Sequence, residues 1–349
     1  MATDASIRPP GTEAGIRSTI VDHQAHWYPR AYVEALMSRS DFPRVERNPD
    51  GGYVLLIDEE DIQPRMELLT KDLEEHLEEA TAAGIDMLVI GPATLGEVLH
   101  LPAHEAAELL DALHREYAAA QRAHPDRVVC LAALPMQEPT VALDVLERAV
   151  GELGLRGVSL IAANEGRPLV SDSTVPIYAR IAELGVPLFL HPGFRTNTRP
   201  QTRTRRAEWC LAWTFHTALA ALELIDGGVL DAVPDLVVVH PHLGGVLPYV
   251  AGRISAHAGV QAGSLAAEPL EYYLRTRFYA DTAQATPPAL DLAIRTYGVD
   301  RLVFATDHPF HSMDTMRHYV DDNVPPETAG QIYANRVPGL PLPTAPATN

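Results

Sequence analysis

Cysteine is almost missing from this sequence: its 349 residues hold only Cys130 and Cys210. That excludes a disulfide framework and fits a reducing compartment, so a cytoplasmic protein is expected. Long apolar runs are also missing, and none approaches the roughly 20 residues that span a bilayer. The opening Met1-Ala2-Thr3-Asp4 lacks the basic-then-apolar pattern of a secretory signal. Positive charge is scarce: 27 Lys and Arg face 46 Asp and Glu, for a formal net charge of -19. Nucleic acid and anionic membrane surfaces repel such a chain, so neither is expected as a partner. A small acidic substrate is not excluded, because a local basic patch can dominate a pocket. No G-x-G-x-x-G follows the first apolar strand, which removes the signature of a dinucleotide-binding fold.

What is present is an ordinary globular composition, 46% hydrophobic with a mean hydropathy of -0.05. Strand and helix patterns alternate along the chain. Continuously apolar strands are expected at Val21 onward, 86–90, 127–134, 157–161, 187–191, 236–240, 277–281 and 301–307. Helical spacing falls between them, at 70–83, 103–123, 140–152, 175–184, 208–225, 248–257 and 288–297. Apolar strands alternating with helices describe a parallel sheet covered on both faces. Eight of them fit a closed (β/α)8 barrel (a TIM barrel) of α/β class. An Asp-Gly turn between two extended runs predicts a small hairpin insertion over residues 44–57. No internal repeat marks a second domain. The expected organisation is a mobile arm over 1–18, one barrel over 19–337 and a proline-rich tail over 338–349.

In a barrel the strand C-terminal ends share one face, and that face holds the active site. The polar residues expected there are Gln24 and His26, His191, His240 and His242, Asp281, and Asp307. Gln24 and His26 lie two apart, so they face the same side of their strand. A lone histidine at such a place is more often a hydrogen-bonded core residue than a ligand. Imidazoles and carboxylates gathered on one rim suit zinc, manganese or iron(II).

Several stretches carry a resemblance: Val21-Asp22-His23-Gln24-Ala25-His26-Trp27-Tyr28-Pro29, Pro187 through Pro192, and His242-Leu243-Gly244-Gly245-Val246-Leu247-Pro248-Tyr249. Tyr279-Ala280-Asp281-Thr282, Phe304-Ala305-Thr306-Asp307-His308-Pro309-Phe310, Leu153-Gly154-Leu155-Arg156-Gly157-Val158 and Ala334-Asn335 complete the set. In this order the chain resembles the second amidohydrolase family, typified by aminocarboxymuconate-semialdehyde decarboxylase, from about Val21 to Asn335. The resemblance implies a metal-dependent barrel enzyme. Its metal set would be Gln24, His26, His191 and Asp307, with zinc expected first and manganese or iron as alternatives. It implies His242 as the residue that moves a proton, with Asp307 also catalytic.

One position departs from the family pattern. The first ligand on strand one is usually His, sometimes Glu, and here it is Gln24, whose amide oxygen is a weaker zinc ligand. Gln24 could bind through that oxygen, His23 could swing in through a local bulge, or the site could be weakened. The stretch after strand five, Arg195-Thr196-Asn197-Thr198-Arg199-Pro200-Gln201-Thr202-Arg203-Thr204-Arg205-Arg206, is rich in arginine. Arginine forks bind carboxylates bidentately, so Arg195 and Arg199 are candidate substrate clamps, with Arg65 behind them. A solvated loop or a subunit contact explains the same stretch. Trp27, Trp209, Trp213 and Phe310 could wall a flat substrate or pack in the core. The expected activity is decarboxylation of a small aromatic or unsaturated carboxylic acid, in a homodimer or higher homo-oligomer. Hydrolysis of a lactone or amide is the alternative, and a catalytically impaired ligand-binding barrel is the second.

Overall fold

The computed structural model describes residues 19–49, 51–57, 62–63, 69–93, 98–162, 167–193, 205–257, 263–283 and 286–341. The chain begins with β1 (Val21–His26) and α1 (Arg30–Met37), then β2 (Arg44–Arg47), β3 (Tyr53–Leu56) and β4 (Ile62–Gln63). Next come α2 (Leu73–Ala82), β5 (Met87–Gly91), α3 (Ala103–Ala123), β6 (Val128–Cys130), β7 (Ala132–Ala133) and α4 (Pro139–Leu146). They are followed by β8 (Val158–Ile161), α5 (Val175–Glu183), β9 (Leu188–His191), α6 (Arg205–Ala207), α7 (Trp213–Asp226) and α8 (Val229–Ala232). The last are β10 (Val238–His240), α9 (Leu247–Ala256), α10 (Leu270–Thr276), β11 (Phe278–Asp281), α11 (Pro287–Tyr297), β12 (Leu302–Val303), α12 (Met313–Asn323) and α13 (Pro326–Ala334).

Two runs of parallel strands, β1-β5-β6 and β12-β11-β10-β9-β8-β7, form the barrel. They join at two seams. β6 and β7 are one strand broken at Leu131, whose N–H bonds the Ile90 carbonyl while the next N–H, of Ala132, bonds Gly157. At the other seam His23 N–H donates to the Phe304 carbonyl (2.9 Å), Asp307 N–H to Gln24 (2.9 Å) and His26 N–H to His308 (2.7 Å). Hydrogen bonds therefore run around the whole ring, which leaves no edge. Val21, Met87, Val89, Val129, Leu131, Phe189, Val239, Tyr279 and Val303 fill its interior, with Val337 packed beneath. Each such side chain, fully buried, contributes about 1.5–3 kcal/mol. The tail was expected from Pro338. Instead Leu340 packs on this inner cluster and Gly339 lies so close to Gly185 that a Cβ would stand 2.5 Å from its carbonyl oxygen.

β2 and β3 pair antiparallel, Arg47 opposite Tyr53, and β4 adds a third strand through Leu55 and Gln63. That two-residue strand carried no pattern to read. Helices α8 and α10 were not among the expected helices; both are short, and α10 buries only Leu270, Tyr273 and Leu274. Two helices widen into π turns, at Glu147–Glu152 and Glu208–Ala212.

The core also buries histidines. His114 accepts a hydrogen bond from Ala133 N–H at its Nε2, 3.0 Å away, and burial pushes its pKa down to about 4. Burial does the same to His23 (about 4), His191 (about 3) and His240 (about 3). Burial acts oppositely on two carboxyls, raising Asp22 to about 7 and Asp281 to about 6. Between pH 6.5 and 4 the unfolded chain protonates these histidines while the folded chain does not, so each removes stability as pH falls. The two aspartates add stability on acidification, but the histidines outnumber them. Urea midpoints should therefore fall as pH is lowered from 7 to 4.5, with each uncompensated histidine worth about 1.4 kcal/mol per pH unit. A midpoint that climbs on acidification would reverse this sign.

Candidate active site

The sequence at the end of β1 is polar because the strand stops being core and becomes rim. Its pairing with β5 slips between Asp22 and Ala25, a bulge of one residue. The turn is held by Asp22. Its carboxylate accepts from Gln24 N–H (3.1 Å), from Thr306 N–H (3.0 Å) and from the Thr306 hydroxyl. Those bonds lock the end of β1 to the segment just beyond β12. Gln24, His26 and Asp307 consequently meet.

Gln24 Nε2 and His26 Nε2 both lie 3.0 Å from Asp307 Oδ1. His191, at the end of β9, has its ring edge-on to His26 with centroids 5.0 Å apart. The expected shared face of Gln24 and His26 is what the chain adopts. The bulge that might have recruited His23 is present, but His23 Nδ1 turns to the Phe304 carbonyl, 3.0 Å away. His23 thus serves the barrel seam rather than Asp307.

The ring tautomers follow from their partners. His26 Nδ1 faces the Gly91 carbonyl at 3.1 Å and His191 Nδ1 faces the Pro192 carbonyl at 2.7 Å. A carbonyl only accepts, so both Nδ1 atoms carry hydrogen and both Nε2 atoms are left for the site. Metal-binding histidines are oriented in this way by a backbone carbonyl behind the ring. A lone pair on His26 Nε2 and the Asp307 carboxylate repel unless a proton or a cation mediates. Two ligand atoms about 2.1 Å from one ion and at right angles to each other stand about 3.0 Å apart. The His26–Asp307 contact has that length. The Gln24 Oε1 atom is buried without a hydrogen-bond partner among the described residues. The donor set therefore fits a divalent ion, although among the described residues no three His, Cys, Asp or Glu side chains stand as a closed metal cluster. The cavity lined by Gln24, His26, His191, Ser159 and Asp281 measures about 20 Å³, the scale of one water or one ion.

His242 approaches from the other side, its Nε2 3.8 Å from Asp307 Oδ2. That is an ion-pair separation, too long for a hydrogen bond. Both its ring nitrogens are buried without a hydrogen-bond partner among the described residues. Burial works to lower its pKa, but the Asp307 and Asp281 carboxylates outweigh this and raise it. The Asp307 pKa lies well below the usual range: burial opposes ionisation, and His242 and His26 overcome it. The backbone at His242 is left-handed (φ 55°), as are Leu243 (φ 57°) and Asp307 (φ 60°). Asp281 pins this turn, accepting from His242 N–H at 2.9 Å. Glycine is required next: a Cβ on Gly244 would stand 2.2 Å from the Tyr297 hydroxyl, and one on Gly245 2.4 Å from the Thr214 carbonyl.

The remaining expected residues divide. Phe310 is at the site, its ring centroid 5.9 Å from that of His26 and 40% exposed. Trp27 is not free to wall a ligand: its indole donates to the Lys71 carbonyl and stacks on Tyr117. Trp209 and Trp213 lie against each other, centroids 6.1 Å apart. His240 meets the Tyr297 hydroxyl at 3.2 Å and belongs to the wall. Arg65, Arg195, Arg199 and Arg203 lie outside the described residues. Sequence reading missed the role of Asp22, and it missed the buried pair His76 Nδ1 to His308 Nε2 at 2.7 Å. Nothing local marks either, because their partners come from the other end of the chain. A larger cavity of about 740 Å³, bordered by Asp226, Arg253 and His257, lies outside the barrel.

The amidohydrolase family's sequence model matches residues 21–328. The chain is 27% identical over 247 residues to 2-amino-3-carboxymuconate-6-semialdehyde decarboxylase of Dictyostelium discoideum, covering 68% of this chain and 67% of that one. It is 34% identical over 207 residues to gamma-resorcylate decarboxylase of Rhizobium radiobacter, covering 54% of this chain and 62% of the relative, just under two thirds of its length. Its fold superposes on a dihydroxybenzoic acid decarboxylase from Polaromonas sp. JS666, crystallised with manganese and 2-nitroresorcinol. The TM-score is 0.74 at 23% identity, over 91% of this chain and 95% of that one.

Replacing Asp22 with Ala leaves the buried N–H groups of Gln24 and Thr306 without an acceptor, at about 1–3 kcal/mol each. D22A should lower stability to urea by about 3 kcal/mol, and T306V, which removes only the hydroxyl, by distinctly less. Equal losses in the two variants would show that Asp22 is not the anchor.

Proposed function

Because the chain belongs to the amidohydrolase family, we propose that it is a divalent-metal-dependent decarboxylase of a small aromatic or unsaturated carboxylic acid. The observation that carries this reading is that His26 Nε2 meets Asp307, the His191 ring stands edge-on to His26, and His242 faces the other oxygen of Asp307. Relatives named as decarboxylases of such acids support the reaction class. His26, His191 and Asp307 would hold the ion, zinc or manganese by their chemistry, and Gln24 Oε1 is the further oxygen within the site. When bound, the ion supplies a positive charge that holds substrate oxygens and stabilises the electron pair left behind as carbon dioxide departs. His26 and His191 are held by carbonyls behind them, so they need no reorganisation. His242 delivers a proton to the carbon that loses its carboxyl group, from a ring whose nitrogens make no hydrogen bond among the described residues. Phe310 offers an aromatic face beside the site, the natural wall for a flat ring. Arg195 and Arg199, which follow β9, are the proposed clamp for the substrate carboxylate, and the protein is proposed to work as a homo-oligomer.

Elemental analysis of the purified protein should find about one divalent ion per chain, lost in H191A and in D307A. H242N should keep that ion while carbon dioxide release from a hydroxybenzoic acid falls by about a hundredfold or more. Metal loss in H242N would make His242 a ligand instead. Hydrolysis of a lactone without release of carbon dioxide from any such acid would replace the lyase reading with the hydrolase one.

The clamp has its own test. R195M or R199M should lower kcat/KM roughly ten- to a hundredfold, the cost of one charged hydrogen-bond donor. Two variants indistinguishable from the parent protein would remove the clamp.

A further inference from the structure

Asp307 is held at its carboxylate by Gln24 and His26, and the next residue is held at its own ring. His308 and His76 of α2 are both buried, with His308 Nε2 2.7 Å from His76 Nδ1. The rings stand edge-on, centroids 4.9 Å apart. Two bare nitrogens would repel at that distance, as would two N–H groups, so the pair shares one hydrogen. Glu79, also on α2, puts Oε2 3.6 Å from the same His308 nitrogen and Oε1 2.7 Å from Lys71 Nζ. The Lys71 carbonyl accepts the Trp27 indole N–H at 3.0 Å. His26 N–H donates to the His308 carbonyl at 2.7 Å. These contacts close a circuit from His26 and Trp27 through Lys71, Glu79 and His308 back to His26, and His76 is its deepest member.

Helix α2 is the fixed side of the circuit. Arg127 donates to the Leu77 carbonyl (3.1 Å) and Arg317 to the Ala83 carbonyl (2.6 Å). Packing alone does not explain an imidazole at position 76. Its Nε2 is buried without a hydrogen-bond partner among the described residues, a cost that a leucine filling the same space would not carry. What the imidazole adds is a directional bond to His308. Asp307 needs such a hold beside it, because its left-handed backbone (φ 60°) persists only where its surroundings over-determine it. We propose that His76 is a positioning residue: through His308 it holds the segment 306–308 against the end of β1, and so fixes the Asp307 carboxylate where His26 and His242 face it. What that carboxylate binds rests on the metal centre proposed above; the hold itself does not.

Two variants separate positioning from packing. H76L fills the space without the nitrogen, whereas H76N is smaller but returns a polar atom near the place of Nδ1. H76N should therefore be the less stable of the two to urea, yet the better positioned. Amide hydrogen exchange, read by mass spectrometry on the purified protein as isolated and after chelation, reports the hold directly. In H76L exchange over residues 22–27 should quicken by about tenfold while β9 is unchanged. Manganese added to the chelated protein should bind H76L about ten- to a hundredfold more weakly than the parent protein. H76N should recover most of both losses. H76L indistinguishable from the parent protein in exchange and in manganese binding overturns the proposal. So does H76N no better than H76L, which would leave the ring a packing residue. Should H76L fold poorly, H308L reads the same contact from the other side, and unchanged exchange over 22–27 in it also overturns the proposal. If the parent protein takes up no manganese while H76L still quickens that exchange, the positioning role stands and the metal reading falls.

Discussion

One buried carboxylate joins the fold to the chemistry. Asp22 accepts two backbone N–H groups and a hydroxyl, and two of those three donors belong to Thr306. The seam between β1 and β12 is where the barrel closes, and it is also where Gln24, His26 and Asp307 must meet. A barrel could close there with backbone bonds alone, as the pairs His23–Phe304 and Asp307–Gln24 do. Those bonds leave the strands free to slip by a residue. A side chain that reaches across to one specific residue does not, so Asp22 fixes the register that puts both Nε2 of His26 and Nε2 of Gln24 on the same oxygen of Asp307.

The strain in the backbone falls in the same place. Among the described residues the non-glycine positions with left-handed φ are His242, Leu243 and Asp307. Each such conformation costs of order 1–3 kcal/mol and persists only where its surroundings over-determine it. Here they do. Asp281 holds the His242 amide, Gly244 and Gly245 fit against Tyr297 and Thr214 with no room for a side chain, and Asp307 N–H is tied to the Gln24 carbonyl. The strain brings the His242 ring and the Asp307 carboxylate to face each other 3.8 Å apart. A relaxed turn would let His242 close on Asp307 and lose its free nitrogens.

How much of this was legible in the sequence depended on the range of the interaction. The strands could be read because burial on both faces makes them continuously apolar, and β9 ends at His191 as its pattern implied. Gln24 and His26 could be placed on one face by the period of a strand. The role of Asp22 could not, since Thr306 is 284 residues away and an aspartate before a histidine looks like any strand-end polar residue. The packing of residues 337–340 beneath the barrel was hidden because prolines and small residues look the same in a tail and in a plug. Helix α10 was hidden by length: seven residues hold too few apolar positions to show a period. The widened turn at Glu208–Ala212 was invisible for a related reason, as one extra residue per turn shifts a helical pattern without breaking it.

Gln24 is the neutral member of the proposed ligand set beside the imidazoles and the carboxylate, and its consequence is electrostatic. On the proposed assignment two neutral imidazoles and one carboxylate surround a divalent ion, which leaves one positive charge uncompensated. A glutamate at this position would cancel it. The chain as a whole is at -19, but its surface charges act through water and salt, where fields fade over about 8 Å. The site is buried, with Gln24, His26, His191 and Asp307 each less than a tenth exposed, and the charge of an ion held there would not be screened in that way. On that assignment an anionic substrate would be weakly repelled at a distance and strongly held on arrival. A neutral lactone or amide would gain nothing from the uncompensated charge, whereas a carboxylate would balance it. On that assignment, an amide in place of a stronger ligand would loosen the hold on the ion and tighten the hold on the acid.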